Sequence, residues 1–298
     1  MKVRLGSRTS ELALWQTHQV EEKLKGLVES EVVGISTQGD QDRQTPLYQM
    51  GGQGVFTKAL DTALLENQID LAIHSLKDYP SSEPEGLKLF AVLERDFNHD
   101  VFIPGKRNET NLELTLASGS PRRKAQWWRH YPHHQFINLR GNMRTRLEKM
   151  QEVDGGIVSQ AGLQRLGILP PNHEVLNWMI PAPAQGVMAI VGRAEDEELY
   201  QIVQKINHES TWRCSHIERQ FMATLEAGCS APLGAFASII KQGINFKGIL
   251  TNSNGKKAVE IEDEFPSDEW QHAGKRLAND VLQRGGQAIM DELRSEQA

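Results

Sequence analysis

Cysteine is almost missing: Cys214 and Cys229 are the only two in 298 residues. Two thiols cannot form the framework of a chain this long. So few suit a reducing cytosol, where a Cys214–Cys229 disulfide would be unusual. Long apolar runs are missing too. Crossing a bilayer takes about 18 consecutive apolar residues, and no segment supplies them, so no membrane partner is expected. Met1 to Gly6 passes directly into polar sequence without an apolar signal core, and a cytoplasmic protein is expected. Nucleotide-binding glycine signatures also fail, because Gly51-Gly52-Gln53-Gly54 has the wrong spacing for a phosphate loop or a dinucleotide fingerprint. His130 and His134 have the i, i+4 spacing of a helical zinc pair. Pro132 between them breaks that helix, and the other histidines are scattered, so no metal is expected.

What is there has the composition of an ordinary globular protein, 24% charged and with a net charge of −6. One core rarely grows beyond about 250–300 residues, so this length implies two or three domains. The charge is unevenly spread. Ser118 to Lys149 holds eight Lys or Arg against the single acid Glu148, leaving 25 basic and 38 acidic residues elsewhere. An acidic body with one basic tract points to a localised anion site, and the acidic remainder argues against a nucleic-acid partner.

The first half alternates strand and helix signals. Val3 to Gly6 reads as a strand, and Ser10 can cap a helix with Ala13, Gln16, Val20, Leu24 and Leu27 on one face. Glu31 to Thr37 reads as a second strand. Residues 38–54 form a polar, glycine-rich stretch long enough to be a functional loop, before a helix carrying Phe56, Leu60, Ala63 and Leu64. Ile69 to Ile73 is a buried-type strand, and Leu87 to Leu93 another. The pattern repeats with strands at Leu114 to Ala117, Phe136 to Leu139 and Gly155 to Ser159. Helices are expected after Ser120-Pro121, after Asn142, and around Leu163 and Leu166. Such alternation implies two α/β groups with parallel sheets. From Ser210 it gives way to one helix, three antiparallel strands between Ala235 and Glu264, and a final helix or helix pair over Ser267 to Glu292.

Four polar constellations lie just beyond predicted strand ends, where α/β proteins bind ligands: residues 6–10, 74–78, 118–123 and 140–146. Arg122 and Arg123 fall in the first turn of a helix, where the dipole disfavours cations by about 0.3–1 kcal/mol each. An anion bridging them would reverse that penalty; the alternative is a solvated basic face. Arg144 and Arg146 point about 200° apart on a helix, so one of them at most faces a site, and Arg146 is preferred. Asp78 is a lone acid beside Lys77 on a strand exit that Pro80 keeps from continuing as helix. It suits a general acid–base group or a counter-ion to a cation, or else a turn cap or a partner of Lys77. Cys229 sits between Gly228 and Pro232 on a turn, where a thiol can carry a covalent group, although free cysteines are also common as small buried hydrophobes. Trp127 and Trp128 could stack on bases, but adjacent tryptophans on a helix more often bury one ring.

Taken in order, these segments resemble the porphobilinogen deaminase (hydroxymethylbilane synthase) family. The resemblance is carried by Gly6-Ser7-Arg8-Thr9-Ser10 through Gln16, Gly51-Gly52-Gln53-Gly54 through Lys58, and Asp70 through His74-Ser75-Leu76-Lys77-Asp78 to Pro80. It continues in Ser120-Pro121-Arg122-Arg123, Leu139-Arg140-Gly141-Asn142, Ala161 to Leu166, Pro181 to Gln185-Gly186, and Glu226-Ala227-Gly228-Cys229 to Gly234. It implies an α/β fold: two solute-binding-protein-like α/β domains around a cleft plus a small α+β C-terminal domain. The expected bounds are 1–95 with a return over 187–206, then 96–186, then 207–298.

The activity implied is a transferase that deaminates four porphobilinogen molecules and joins them head to tail into hydroxymethylbilane, in tetrapyrrole biosynthesis. The chain is expected to act as a monomer. Its primer would be a dipyrromethane cofactor tethered by a thioether to Cys229. Asp78 resembles the family aspartate that steadies pyrrole N–H cations and assists proton transfer. Lys77, Ser75, Ser118, Ser120, Arg122, Arg123, Arg146 and Gln185 match cofactor-contacting positions, and Arg8, Ser10, Arg140 and Arg165 substrate-contacting ones. Each pyrrole carries an acetate and a propionate, so the chemistry needs many guanidinium forks and no metal. Gln53, His99, Pro121, Ala184 and Arg144 depart from the usual family residues. A non-catalytic binder of small polycarboxylates is the competing reading.

Overall fold

The computed structural model describes residues 2–36, 57–106, 113–226 and 231–297. The glycine-rich stretch 38–54, Phe56 and Cys229 lie outside the described residues. The chain divides into two compact units, one of residues 1–96 and 186–212, the other of residues 97–185 and 213–298.

In the first unit, β1 (Lys2–Arg8), β2 (Glu29–Ile35), β3 (Leu71–Ser75), β4 (Leu87–Val92) and a later strand, β10 (Met188–Arg193), form one sheet in the order β2-β1-β3-β10-β4. The central strands read as near-continuous apolar runs because helices cover the sheet. Val3, Leu5, Leu71, Ile73, Phe90 and Ile190 pack with Val20 and Leu24 of α1 (Glu11–Leu24). Ser10 caps α1 as its sequence position suggests, accepting from the Ala13 N–H at 3.4 Å. The helix ends at Leu24, so Leu27 falls outside it and is 40% exposed instead of extending the buried face. After α2 (Lys58–Leu65), β3 feeds a single 3-10 turn, Leu76–Asp78, and Tyr79 is extended, as the following proline requires.

The second unit repeats the arrangement. Strands β5 (Asp100–Pro104), β6 (Thr115–Ala117), β7 (Gln135–Ile137), β8 (Gly155–Ser159) and β9 (Glu174–Val175) give a sheet in the order β7-β6-β8-β5-β9. Helices α3 (Pro121–His130), α4 (Met143–Met150) and α5 (Gln160–Arg165) follow β6, β7 and β8. Asn142 caps α4 through its side chain, accepting from Thr145 N–H at 2.9 Å. Ser120 takes the N-cap position of α3 with Pro121 in the first turn, but its hydroxyl makes no capping bond; its own N–H donates to Ser118 Oγ. Helix α3 stops at His130, so His130 and His134 do not share a helix. Trp127 is the buried ring of its pair and donates its indole N–H to His134 Nδ1.

The expectation of parallel sheets needs correction, because both five-stranded sheets are mixed. β10 runs antiparallel to β3 and β4, and β5 runs antiparallel to β8 and β9. Each is the strand that begins just after a unit boundary, near residues 96 and 186, so it enters its sheet from outside the local strand–helix alternation. That history leaves no mark in periodicity.

After α6 (Glu197–Gln204) the chain forms α7 (Glu209–Thr224) and an antiparallel sheet, β11 (Leu233–Ile240), β12 (Gly243–Thr251) and β13 (Ala258–Phe265). Helices α8 (Trp270–Val281) and α9 (Gln287–Gln297) close this layer, separated at Gly285, whose φ of 106° suits glycine. Ile217, Phe221, Phe246, Leu277 and Ile289 form its core, and Cys214 is buried there. Gly255 lies so close to the Ala125 carbonyl of α3 that a Cβ would collide with it, which seats the 252–255 turn against that helix.

Candidate active site

In the first unit, β1 and β3 are parallel neighbours, so Arg8 and Ser75 end their strands at the same edge of the sheet. Leu76 and Tyr79 are both buried, and the Leu76 N–H donates to Val187 O at 2.9 Å, which anchors both ends of the turn. Between those anchors the turn leaves Lys77 half-buried and Asp78 exposed. A side chain on an anchored backbone but open to solvent can meet a ligand at no cost in buried charge. Ser75 is linked to Gln16 of α1, accepting from its Nε2 at 3.0 Å and donating to its Oε1 at 3.2 Å. Gln16 belongs to the first motif of the chain but was not singled out as a site residue; its polarity on a buried helix face was the available signal. Beneath the turn, His74 is buried with its ring 5.3 Å from that of Tyr79. Burial above all, with the nearby Arg8 cation second, lowers its pKa to about 3, so it is neutral at ordinary pH.

In the second unit, β6, β7 and β8 are followed by Ser118 to Arg123, Arg140 to Arg146, and α5 with Arg165. Because β5 is antiparallel and pairs Asp100 with Ser159, its first residue reaches that same edge. Asp100 is fully buried and holds two of the anticipated cations. Arg122 Nη1 lies 2.7 Å from Oδ2, while Arg123 Nη2 and Nε lie 2.8 and 2.9 Å from Oδ1. Gln185 Nε2 donates to Oδ1 at 3.1 Å and to the Asn98 carbonyl at 2.8 Å. Burial opposes the Asp100 charge, but the charges of the Arg122 and Arg123 guanidiniums and the Gln185 hydrogen bond prevail and hold its pKa at about 2. The anion that the first-turn arginines call for is thus present in the protein itself, supplied by a residue that was not among the candidates. A lone acid opening a short apolar strand was one sequence trace of it.

Arg122, Arg123 and Arg165 are 4%, 7% and 8% exposed, unlike a solvated basic face. Arg146 is half-buried and donates through Nε to the Gly141 carbonyl at 2.8 Å, whereas Arg144 is exposed. Arg140 is half-buried, Ser118 is buried and Ser120 is half-buried. In the first unit, Arg8 and Ser10 are half-buried. Cys229 lies outside the described residues, between the end of α7 and β11. Glu218 of α7, also unanticipated, is fully buried, and its carboxylate accepts the N–H groups of Ala184 and Ala237, each at 2.7 Å. The segment carrying Gln185 is thereby joined to the helix and strand that flank the cysteine.

Among the described residues no group of His, Cys, Asp and Glu is arranged to hold a metal ion. No described helix is long and apolar enough to cross a membrane.

Residues 3–201 match the family model described as porphobilinogen deaminase, dipyromethane cofactor binding domain, and residues 212–283 match its C-terminal domain. A porphobilinogen deaminase of Carboxydothermus hydrogenoformans is 38% identical, with 99% of this chain and 98% of that protein aligned. Those of Syntrophomonas wolfei (35%; 98% and 99% covered) and Synechococcus elongatus (36%; 98% and 95%) are similar over comparable lengths. Among solved structures, the Bordetella pertussis BvgS VFT2 domain aligns at 14% identity and a TM-score of 0.40, covering 74% of this chain and 89% of that one.

Proposed function

The chain belongs to the porphobilinogen deaminase family, and we propose that it deaminates four porphobilinogen molecules and joins them head to tail into hydroxymethylbilane. The observation that carries this reading is the set of buried arginines, Arg122, Arg123 and Arg165, within the span matching the cofactor-binding domain. Asp100 supplies one carboxylate to Arg122 and Arg123, and pyrrole acetates and propionates are flat carboxylates that fit guanidinium forks as further partners.

The donor set fits a dipyrromethane. Arg122, Arg123, Arg146, Lys77, Ser75, Ser118, Ser120 and Gln185 would hold it, with the Cys229 sulfur as its thioether anchor. When bound, the group supplies an electron-rich pyrrole carbon on which the chain is built. Arg8, Ser10, Arg140 and Arg165 bind and orient the carboxylates of incoming porphobilinogen. Asp78 would serve the reacting pyrrole as the counter-ion that steadies the positive charge developing as ammonia leaves, and as the group that accepts or returns a proton there. The turn that carries it is anchored through the Leu76 N–H and the buried Tyr79. We place the protein in the cytoplasm as a monomer.

Intact-protein mass is the direct test. The purified protein should exceed its sequence mass by one dipyrromethane, and Cys229→Ser should lack that mass. Retention of the extra mass by Cys229→Ser would refute the anchor. Absence of ammonia and bilane formation from porphobilinogen would refute the activity.

A further inference from the structure

We propose that Asp100 is a positioning residue that holds Arg122 and Arg123 in the geometry in which they receive cofactor carboxylates; this rests on the cofactor role assigned to those arginines above. Successive residues on a helix project about 100° apart, so adjacent arginines in the first turn of α3 ordinarily diverge. Here they converge on one carboxylate, Arg122 at Oδ2 and Arg123 at Oδ1. Arg122 is fixed a second time by donating from Nη1 to the Ile180 carbonyl at 2.9 Å. The carboxylate is itself oriented by Gln185, which also binds the carbonyls of Asn98 and His99. These bonds join α3, β5 and the segment before β10 into one network.

Charge separates this role from plain structural pairing. A buried ion pair seldom stabilises a fold more than apolar residues of the same volume would, so stability alone is a poor reason for burying three charged groups. The stoichiometry is also unequal: one carboxylate bridges two guanidiniums. The bridge sets the distance and tilt of the two planar groups, and one carboxylate carries half the charge of the two guanidiniums it joins. A guanidinium presents five N–H donors in a rigid fork, so fixing one edge on Asp100 aims the rest. The antiparallel course of β5 brings Asp100 to the edge where Ser118 and the arginines sit.

The test compares full-length Asp100→Asn, Asp100→Glu and Arg123→Gln proteins, each expressed and then incubated with porphobilinogen. Cofactor occupancy is read by intact mass, folding by thermal melt, and KM and kcat on the loaded fraction. Asp100→Asn is expected to melt at a lower temperature, to carry cofactor on fewer than a tenth of its folded molecules, and to show at least a five-fold higher KM. The pH profile of kcat should not move. Asp100→Glu keeps the charge on a longer stem and should recover more than half of the occupancy with KM still raised. Native occupancy and KM in folded Asp100→Asn would overturn the proposal, leaving Asp100 a stability residue. If Asp100→Asn does not fold, Asp100→Glu decides: raised KM with partial occupancy supports positioning, while native values, or failure of both proteins to fold, overturn it. Arg123→Gln tests the underlying reading separately. Full occupancy and native KM in that variant would remove the cofactor role of Arg123 whatever Asp100 does.

Discussion

Glu218→Gln is an almost isosteric change at a fully buried site, and its cost can be worked from two backbone bonds that the carboxylate accepts. Each oxygen accepts one backbone N–H, from Ala184 and from Ala237, at 2.7 Å. A hydrogen bond to a charged group is worth roughly 1.5–3 kcal/mol, against about 0.5–1.5 for a neutral one. Glutamine keeps one acceptor oxygen, so one of the two bonds survives at neutral strength. Its NH2 group meets the other backbone N–H donor to donor, which loses that bond and strands a buried N–H at a further cost of about 1–3 kcal/mol. Partial relaxation recovers some of this, and the expected net loss is about 2–4 kcal/mol. That is a large share of a typical total of about 5–15 kcal/mol. Urea unfolding monitored by tryptophan fluorescence would measure the loss, and amide hydrogen exchange would localise it, because protection should fall at Ala184 and Ala237 before it falls in β3 or β10. A change below about 0.5 kcal/mol with both amides still protected would refute the reasoning, since surface-like substitutions produce effects of that size.

Three further outcomes are expected. His74, with a pKa lowered to about 3 in the fold against 6.5 ordinarily, is protonated in the unfolded chain first, so its contribution is complete above pH 6.5 and is lost as pH falls toward 3. The slope is about 1.4 kcal/mol per pH unit, and a His74→Gln protein whose acid limb is as steep as the wild type would rule this out. Ala184 has a φ of 59° while fully buried, a conformation costing an L-residue about 1–2 kcal/mol, so Ala184→Gly should stabilise the protein by about 0.5–1 kcal/mol after the added freedom of the unfolded chain is subtracted; destabilisation in urea would show that the Ala184 methyl packs better than its backbone is strained. Asp78→Asn should retain the fold and the cofactor mass yet lose at least about 100-fold in kcat, the size expected for a group acting on a developing charge or a proton, and near-normal turnover would end its assignment.

Several features were legible without tertiary information because their causes are local. Ser10 and Asn142 cap the helices they precede, since a side-chain oxygen just ahead of an amphipathic run has an unsatisfied N–H within reach. Tyr79 is extended because Pro80 forbids the helical alternative. Ser120 marks the limit of such reasoning: its position at the start of α3 was readable, but its hydroxyl makes no capping bond there. The arginine pair could be read as a demand for an anion, because cations in a first helical turn oppose the dipole.

Local signals could not say what meets that demand. Asp100 lies more than twenty residues before the arginines, on a strand whose antiparallel course depends on where the chain leaves one unit and enters the other. Gln185 and Glu218 are as remote, and each meets its partner only after the sheets have formed. Periodicity and capping chemistry, acting within a few residues, determined where helices and strands begin and which charges require partners. Pairing across tens of residues depends on strand direction and sheet order, which are decided by how whole layers bury their apolar faces, so only the tertiary structure could name those partners.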